Sequence, residues 1–425
     1  MKTASRLLDR TFPSLRIRNY RLFFVGQIIS VTGTWTQTVA QAWLVLKLTH
    51  SGVALGTVVA LQFLPVLLLG AYGGLIADRV SKRKLLLVTQ VIFGLLATIL
   101  GVLTATGLAT IPLVYLLALL LGCVNAIDNP TRQAFVVDMV GAKMVSNAVS
   151  LNSVVMNATR MVGPGVAAAL IAGAGIAPCF FANAISYLAA IAALLMMRTS
   201  ELNLREKIST ARGQVREGIA YAWSNPTLRT LLLMMLFIGA MTFEFQVSLA
   251  LLSSSTFHDG AAGYGLLLSV QGAGSVAGGL LVASLRRTVS TRAIAVLAAL
   301  FGLFMLGAAA SPGIAMAAIF LIPTGAAGIA FSALVSTNLL LRSSRQMRGR
   351  VMALYSIALM GSTPVGAPLV GWIAQLLGAR WGVASGGITA LGVGLVVILF
   401  VQREAHTPAI AAMEPSGASP AAEAN

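Results

Sequence analysis

Between Leu22 and Leu46 an otherwise apolar stretch carries Gln27, Ser30, Thr34, Gln37, Thr38 and Gln41 at helical spacing, so one face of the predicted helix is polar. The stretch is long enough to cross a bilayer, and a polar atom left in lipid is strongly disfavoured. The stripe therefore predicts a helix whose wet face lines a central cavity. Reading on with about 20 residues as the unit of a span gives twelve apolar segments. They cover residues 21–46, 53–76, 84–106, 111–138, 146–174, 178–198, 227–252, 262–285, 292–310, 314–341, 349–377 and 382–402. Ala40-Gln41-Ala42 has a cleavage-like pattern after a basic leader. The apolar run is too long for a signal-peptide core, so it is read as the first span.

Hydrophobic residues make up 57% of the 425 positions and charged residues 10%, which excludes an ordinary soluble domain and predicts an all-α integral membrane protein. The net charge of +17 would suggest nucleic acid in a soluble chain. Here the basic residues sit in short connections between apolar runs, so the expected partner is the lipid bilayer and no nucleic acid. Cys123 and Cys179 have no metal-ligand spacing and read as small core residues. His50, His258 and His406 lie outside the spans, and no nucleophile or metal constellation exists, which argues against an enzyme, a metal or a cofactor. No glycine-rich phosphate loop ending in Gly-Lys-Ser or Gly-Lys-Thr is present, so nucleotide drive is not expected.

Orientation follows from the lysines and arginines. Lys2, Arg6, Arg10, Arg16, Arg18 and Arg21, then Arg79, Lys82, Arg83 and Lys84, and later Arg286, Arg287, Arg342, Arg345, Arg348 and Arg350 fall on one side; Lys47 and Arg380 fall on the other. The asymmetry predicts that both termini are cytoplasmic.

Residues 199–226 form the one long interior connection, with Val215, Ile219, Ala222 and Trp223 at helical spacing among charges, and read as an amphipathic helix at the interface that ends at Asn225-Pro226. The expected organisation is a basic N-terminus (1–20), a six-helix bundle (21–198), this linker (199–226), a second six-helix bundle (227–403) and a tail with nothing to bury (404–425). The halves are faint copies. A shift of about 209 positions places Gly56, Gln62, Gly70 and Arg83 on Gly265, Gln271, Gly279 and Arg292, and a shift of about 203 places Gly163 and Gly175 on Gly366 and Gly378. Two pseudo-symmetric bundles suit a rocking transporter.

The loop between the second and third spans, Gly74-Leu75-Ile76-Ala77-Asp78-Arg79-Val80-Ser81-Lys82-Arg83-Lys84, resembles the loop signature of the major facilitator superfamily, with Ser81 where a second glycine is usual. Gly74, Asp78, Arg79, Lys82 and Arg83 then form a cytoplasmic gate motif, with Asp78 placed to accept hydrogen bonds that latch the bundles and Gly74 to let helices approach. Within the superfamily the chain is similar to enterobactin exporters and macrolide or multidrug efflux proteins, through Asn129-Pro130-Thr131-Arg132, Arg160-Met161-Val162-Gly163-Pro164, Phe243-Glu244-Phe245-Gln246 and Gly361 to Gly371. Gly163-Pro164-Gly165 also resembles the superfamily's antiporter signature, with Thr159 replacing its leading glycine; with Gly366 it reads as a helix-packing motif.

Charge inside a membrane is usually tied to a pathway. Asp128 and Arg132 on the fourth span, Arg160 on the fifth and Glu244 on the seventh are the candidate proton-coupling residues. Asp128 and Arg160 fall at similar depth and are candidates to pair; alternatively Asp128 pairs with Arg132 four residues on. The resemblance implies that spans one, four, seven and ten line the cavity while three, six, nine and twelve face lipid. Asn125, Met241, Phe245, Ser248, Thr324 and Ser332 join the stripe of the first span as candidate cavity residues. The resemblance implies export of a small amphipathic molecule, a siderophore or drug, across a bacterial inner membrane by proton antiport from a monomer, and the adaptable pocket agrees with it. An importer on the same fold is the alternative.

Overall fold

The computed structural model describes residues 13–202, 214–284, 289–344 and 346–406, and the regular structure among them is helical. Most of the basic N-terminus, the start of the linker, Arg286, Arg287, Arg345 and nearly all of the C-terminal tail lie outside the described residues.

Among the described residues, eleven helices are long and apolar enough to cross a membrane. The first helix, Arg18–Thr49, has the length, with 32 residues, but its polar stripe keeps its composition below that of the others. With it the count is twelve. The first half continues with Gly52–Arg79, Lys82–Ala105, Ile111–Gly141, Asn147–Ala174 and Ala177–Leu195. The second half comprises Pro226–Phe257, Gly260–Ser284, Thr291–Ala310, Ile314–Arg342, Arg348–Leu377 and Ala379–His406. The even number of crossings brings Arg18 and His406 to one face, the terminal face.

Two spans expected to be continuous are broken. The seventh is interrupted between Pro226–Met241 and Phe245–Leu251, where Glu244 leaves helical geometry (φ −81, ψ 43) and precedes the second piece with no side-chain cap bond, and that piece ends in a π-helical turn at Leu252–Phe257. The eleventh is interrupted between Arg348–Met360 and Thr363–Leu377, where the proline at the start of the second piece supplies no N–H to the preceding turn. Such breaks bring backbone polarity to mid-membrane depth, tolerated only where protein or a cavity covers it. Between the fourth and fifth spans the chain turns at Gly141 (φ 66, ψ 170), a backbone conformation that favours glycine.

The linker helix, Gln214–Ser224, docks on the second half. Glu217 pairs with Arg350 at 2.5 Å, the Ser344 amide donates to the Tyr221 hydroxyl at 3.1 Å, and Ala222 is buried while Trp223 stays exposed. Asn225 caps the seventh span by accepting from the amides of Thr227 and Leu228.

The halves meet at the face opposite the termini. The second span packs on the eleventh, with Gly52 against Gly371 and Gly56 against the backbone of Ala367 and Pro368; the eighth packs on the fifth, with Gly265 against Pro164 and Ala168. Gln375 Oε1 accepts from the Ser51 hydroxyl at 2.8 Å and from the Val53 amide at 3.3 Å. Toward the terminal face the same helices separate. In the fifth span Ala167 is fully buried whereas Val149 and Val154 are exposed, and in the eleventh Ala367 and Val370 are buried whereas Ile357 and Met360 are exposed.

Candidate translocation cavity

The stripe of the first span does face a cavity. A space of about 280 Å³ is walled by Ser30, Thr34, Gln37, Thr38 and Gln41 on one side and by Asn125, Asn129 and Arg132 of the fourth span beside it. Trp35 and Phe63 add aromatic surface, and Gln246 and Met360, at the breaks of the seventh and eleventh spans, close it from the second half.

Most polar groups of this wall are tied to one another. Arg132 Nη1 donates to Gln27 Oε1 at 2.6 Å, Asn183 Nδ2 to Gln37 Oε1 at 2.7 Å, and Gln62 Nε2 to Gln41 Oε1 at 3.1 Å. Gln27 is thus buried behind the cavity rather than in it. These bonds hold the first, second, fourth and sixth spans as one wall.

Asp128 has no exposed surface and pairs with Arg132, not with Arg160. The spacing of four residues on one helix brings the two together, and Thr89 Oγ1 at 2.6 Å and Gln90 Nε2 at 3.0 Å donate to the other carboxylate oxygen. Arg160 instead stacks over Trp35, its guanidinium carbon 5.4 Å from the ring centroid, and its buried Nε has no hydrogen-bond partner among the described residues. Glu244 is buried at the break of the seventh span; its Oε1 has no partner among the described residues, and Thr363 stands beside the carboxyl.

Several residues expected in the cavity are elsewhere. Phe245 is buried in an aromatic cluster with Phe243 and Phe301, with ring centroids 6.5 and 6.3 Å away. Ser248 donates to the Glu244 carbonyl at 3.0 Å and Thr324 to the Phe320 carbonyl at 2.7 Å, so both hydroxyls are spent within their own helices. Ser332 joins the hydroxyl of Tyr355 at 2.7 Å, and Met241 packs in the core beside Gly386. Conversely, Asn183 and Tyr187 of the sixth span and Phe93 of the third line the cavity, although these spans were expected to face lipid. Phe93 stacks on Tyr187 at 5.5 Å. The interrupted apolar run around Asn183 was the available signal.

In the loop motif, Lys82 pairs with Asp138 at 2.8 Å and Arg83 donates to the carbonyls of Leu194 and Leu195 at 2.7 and 3.0 Å, all within the first half. Asp78 and Arg79 are exposed and, among the described residues, neither has a partner that latches the bundles. Gly74 faces open space; its neighbour Gly73 makes the close approach, against Ala126. Ser81 has φ −59, so this turn does not require glycine. The packing motif is differently divided. Gly163 lies against Trp35 and Thr32 and Gly366 against Ala240, whereas Gly165 makes only an ordinary contact, with Ser269 Oγ 3.5 Å from its Cβ position.

The family model described as transmembrane secretion effector matches residues 10–423. Among curated proteins, the staphyloferrin A transporter of Staphylococcus aureus is 27% identical over 289 residues, covering 68% of this chain and 72% of that protein. The multidrug efflux pump Tap of Mycolicibacterium fortuitum is 23% identical over 399 residues, covering 89% and 94%. Among solved structures, an inward-facing, unoccupied bacterial homologue of the human lysosomal transporter Spinster superposes with a TM-score of 0.67 at 14% identity, over 90% of this chain and 94% of that one.

Proposed function

Because the chain belongs to the transmembrane secretion effector family of major facilitator transporters, we propose that it is a secondary active exporter of a small amphipathic organic molecule, a siderophore or a drug, working by proton antiport with alternating access. The observation that carries this reading is the polar wall of the first span enclosing a cavity between two halves that touch at one face and part at the other. Such a cavity meets one side of the membrane at a time if the halves rock. Its lining mixes amides, hydroxyls and aromatic rings, which suits an amphipathic solute, and two of the curated relatives are named for a siderophore and for multidrug efflux.

In this reading the terminal face is cytoplasmic, residues 21–198 and 227–403 rock as units about the 199–226 linker, and the protein acts as a monomer. Asp78 and its neighbours latch the cytoplasmic side in the outward-open state. Glu244 takes up and releases the coupling proton, since its carboxyl is the one that is buried with an oxygen lacking a partner among the described residues and it stands where the seventh span is broken. Asp128, held by Arg132, Thr89 and Gln90, keeps the first half assembled and is the second candidate carrier. One proton moving inward across ~150 mV releases roughly 3.5 kcal/mol, enough for a few-hundred-fold gradient of a neutral substrate.

The test is proton movement driven by a substrate gradient in proteoliposomes, paired with dye accumulation in cells lacking their own pumps. Antiport predicts counter-moving protons, lost in Glu244→Gln, and lowered dye in cells. Normal coupling in both Glu244→Gln and Asp128→Asn would remove the carrier assignment, and raised intracellular dye would reverse the direction.

A further inference from the structure

The second half contains a large lateral crevice whose counterpart in the first half is closed. The seventh and twelfth spans touch where Gly386 lies against Met241 and Thr242, with Thr242 Oγ1 donating to the Gly386 carbonyl at 2.9 Å, and from there they diverge toward the terminal face. The ninth and twelfth stay in contact, with Gly394 against Ala295 and Ala299. The wedge left between them has a volume of about 870 Å³.

In the first half the matching space, between the first, third and sixth spans, holds about 10 Å³. There Arg18 and Asn19 donate to the carbonyls of Met196 and Arg198, Arg83 donates to Leu194 and Leu195, and Gly26 lets Ala193 pack close. The repeat offset places Arg292 where Arg83 stands. Arg292, however, is exposed on the rim of the open wedge, with no ion pair among the described residues.

Two further arginines line the wedge. Arg229 likewise has no ion pair among the described residues, and Arg342 has only a long contact to Asn338, at 3.4 Å. Two capped helix N-termini open onto the same rim, at Pro226 and Thr291, and each adds partial positive charge. No acidic residue is among the lining residues described. Below the rim the walls are apolar, formed by Phe237, Val393, Val396 and Phe400. Cationic rim and hydrocarbon floor, facing sideways from a membrane span, match a molecule with an anionic head and an acyl tail.

We propose that this wedge binds an anionic phospholipid, its phosphate held by Arg229, Arg292 and Arg342 and an acyl chain lying on the floor beside Phe237 and Val393. A free phosphate would use the arginines and leave the floor unfilled; a neutral lipid would do the reverse. The site is separate from the substrate cavity and does not depend on the direction of transport.

The test is native mass spectrometry of the full chain released from nanodiscs of phosphatidylcholine with and without phosphatidylglycerol. The wild type is expected to retain phosphatidylglycerol selectively, with about a fivefold loss for each of Arg229→Gln and Arg292→Gln. Gly392 lines the wedge with open space where a side chain would go, so Gly392→Phe is expected to fill the floor and release the lipid without lowering the melting temperature of the lipid-free protein. Equal retention of phosphatidylcholine, or arginine variants that hold phosphatidylglycerol as the wild type does, would overturn the proposal. Displacement of the lipid by inorganic phosphate would make this a free-anion site, and a dimer in the same spectra dissociated by Gly392→Phe would give the wedge to a second copy; either result also overturns it.

Discussion

Gly265 lies against the carbonyl oxygen of Pro164, which a β-carbon on Gly265 would meet at 2.6 Å. The repeat offsets place Gly56 on Gly265 and Pro164 on Ala367, and Gly56 indeed rests on the Ala367 carbonyl. The two closures of the face opposite the termini are thus the same contact made twice, once by each half on the other.

If this pair of contacts seals one state of the cycle, a side chain at either glycine opens it. Overpacking of this kind costs about 1–3 kcal/mol, so Gly265→Ala or Gly56→Ala should shift the equilibrium roughly five- to 150-fold away from the closed face. Spin labels at the exposed positions 47 and 377, near the Ser51–Gln375 contact between the halves, would read the change as loss of the short-distance population. Gly70→Ala, where nothing lies within 4 Å of the new atom, should leave the distances and transport unchanged.

Asp128 and Arg132 form a different kind of contact, a charge pair whose carboxylate has no exposed surface. Removing one partner strands the other, at a cost of about 3–5 kcal/mol for fully buried pairs and less here because the Arg132 side chain keeps 18% exposure. Asp128→Ala should therefore lower the melting temperature in detergent by several degrees, and adding Arg132→Met should restore part of it. An Asp128→Ala protein as stable as the wild type would show that the pair does not hold the fold.

How far the sequence reached depended on what each residue's spacing could encode. Twelve spans and the inward face of the first are legible because hydrocarbon forbids stray polar atoms, and the repeat is legible because the same glycine contacts recur. The break at Glu244 is not, since nothing in that apolar run says that its helix stops, and at Gly361 the one signal is Pro364, which in a membrane span marks a kink as readily as a break. On the sequence Phe245 reads as a cavity residue because it adds aromatic surface near the polar stripes; the break at Glu244 puts Phe245 in the core and leaves Gln246 on the cavity.

That exchange of neighbours makes a prediction. Phe245→Ala should destabilise the protein by about 3–5 kcal/mol while leaving the relative transport of a panel of substrates intact. Gln246→Ala should leave stability nearly unchanged and alter the ranking within the panel. Competition assays against a fluorescent substrate, read beside melting curves, separate the two; a changed ranking in Phe245→Ala alone would return that residue to the cavity.

Arg160 sits behind Trp35, a cavity residue, and has no carboxylate partner among the described residues. The stacking on Trp35 contributes about 2 kcal/mol and leaves the positive charge in place. At ~8 Å and an effective dielectric of ~20, one such charge acts on a charged solute in the cavity with about 2 kcal/mol, or roughly thirtyfold in affinity. Arg160→Met should weaken an anionic substrate by about that factor, strengthen a cationic one and leave a neutral one unchanged, with a melting temperature equal to or above that of the wild type because a cation without a partner carboxylate has been removed from the interior. A uniform loss across the three charge classes would mean that Arg160 only props the Trp35 ring, and its field would then play no part in selecting what the cavity takes up.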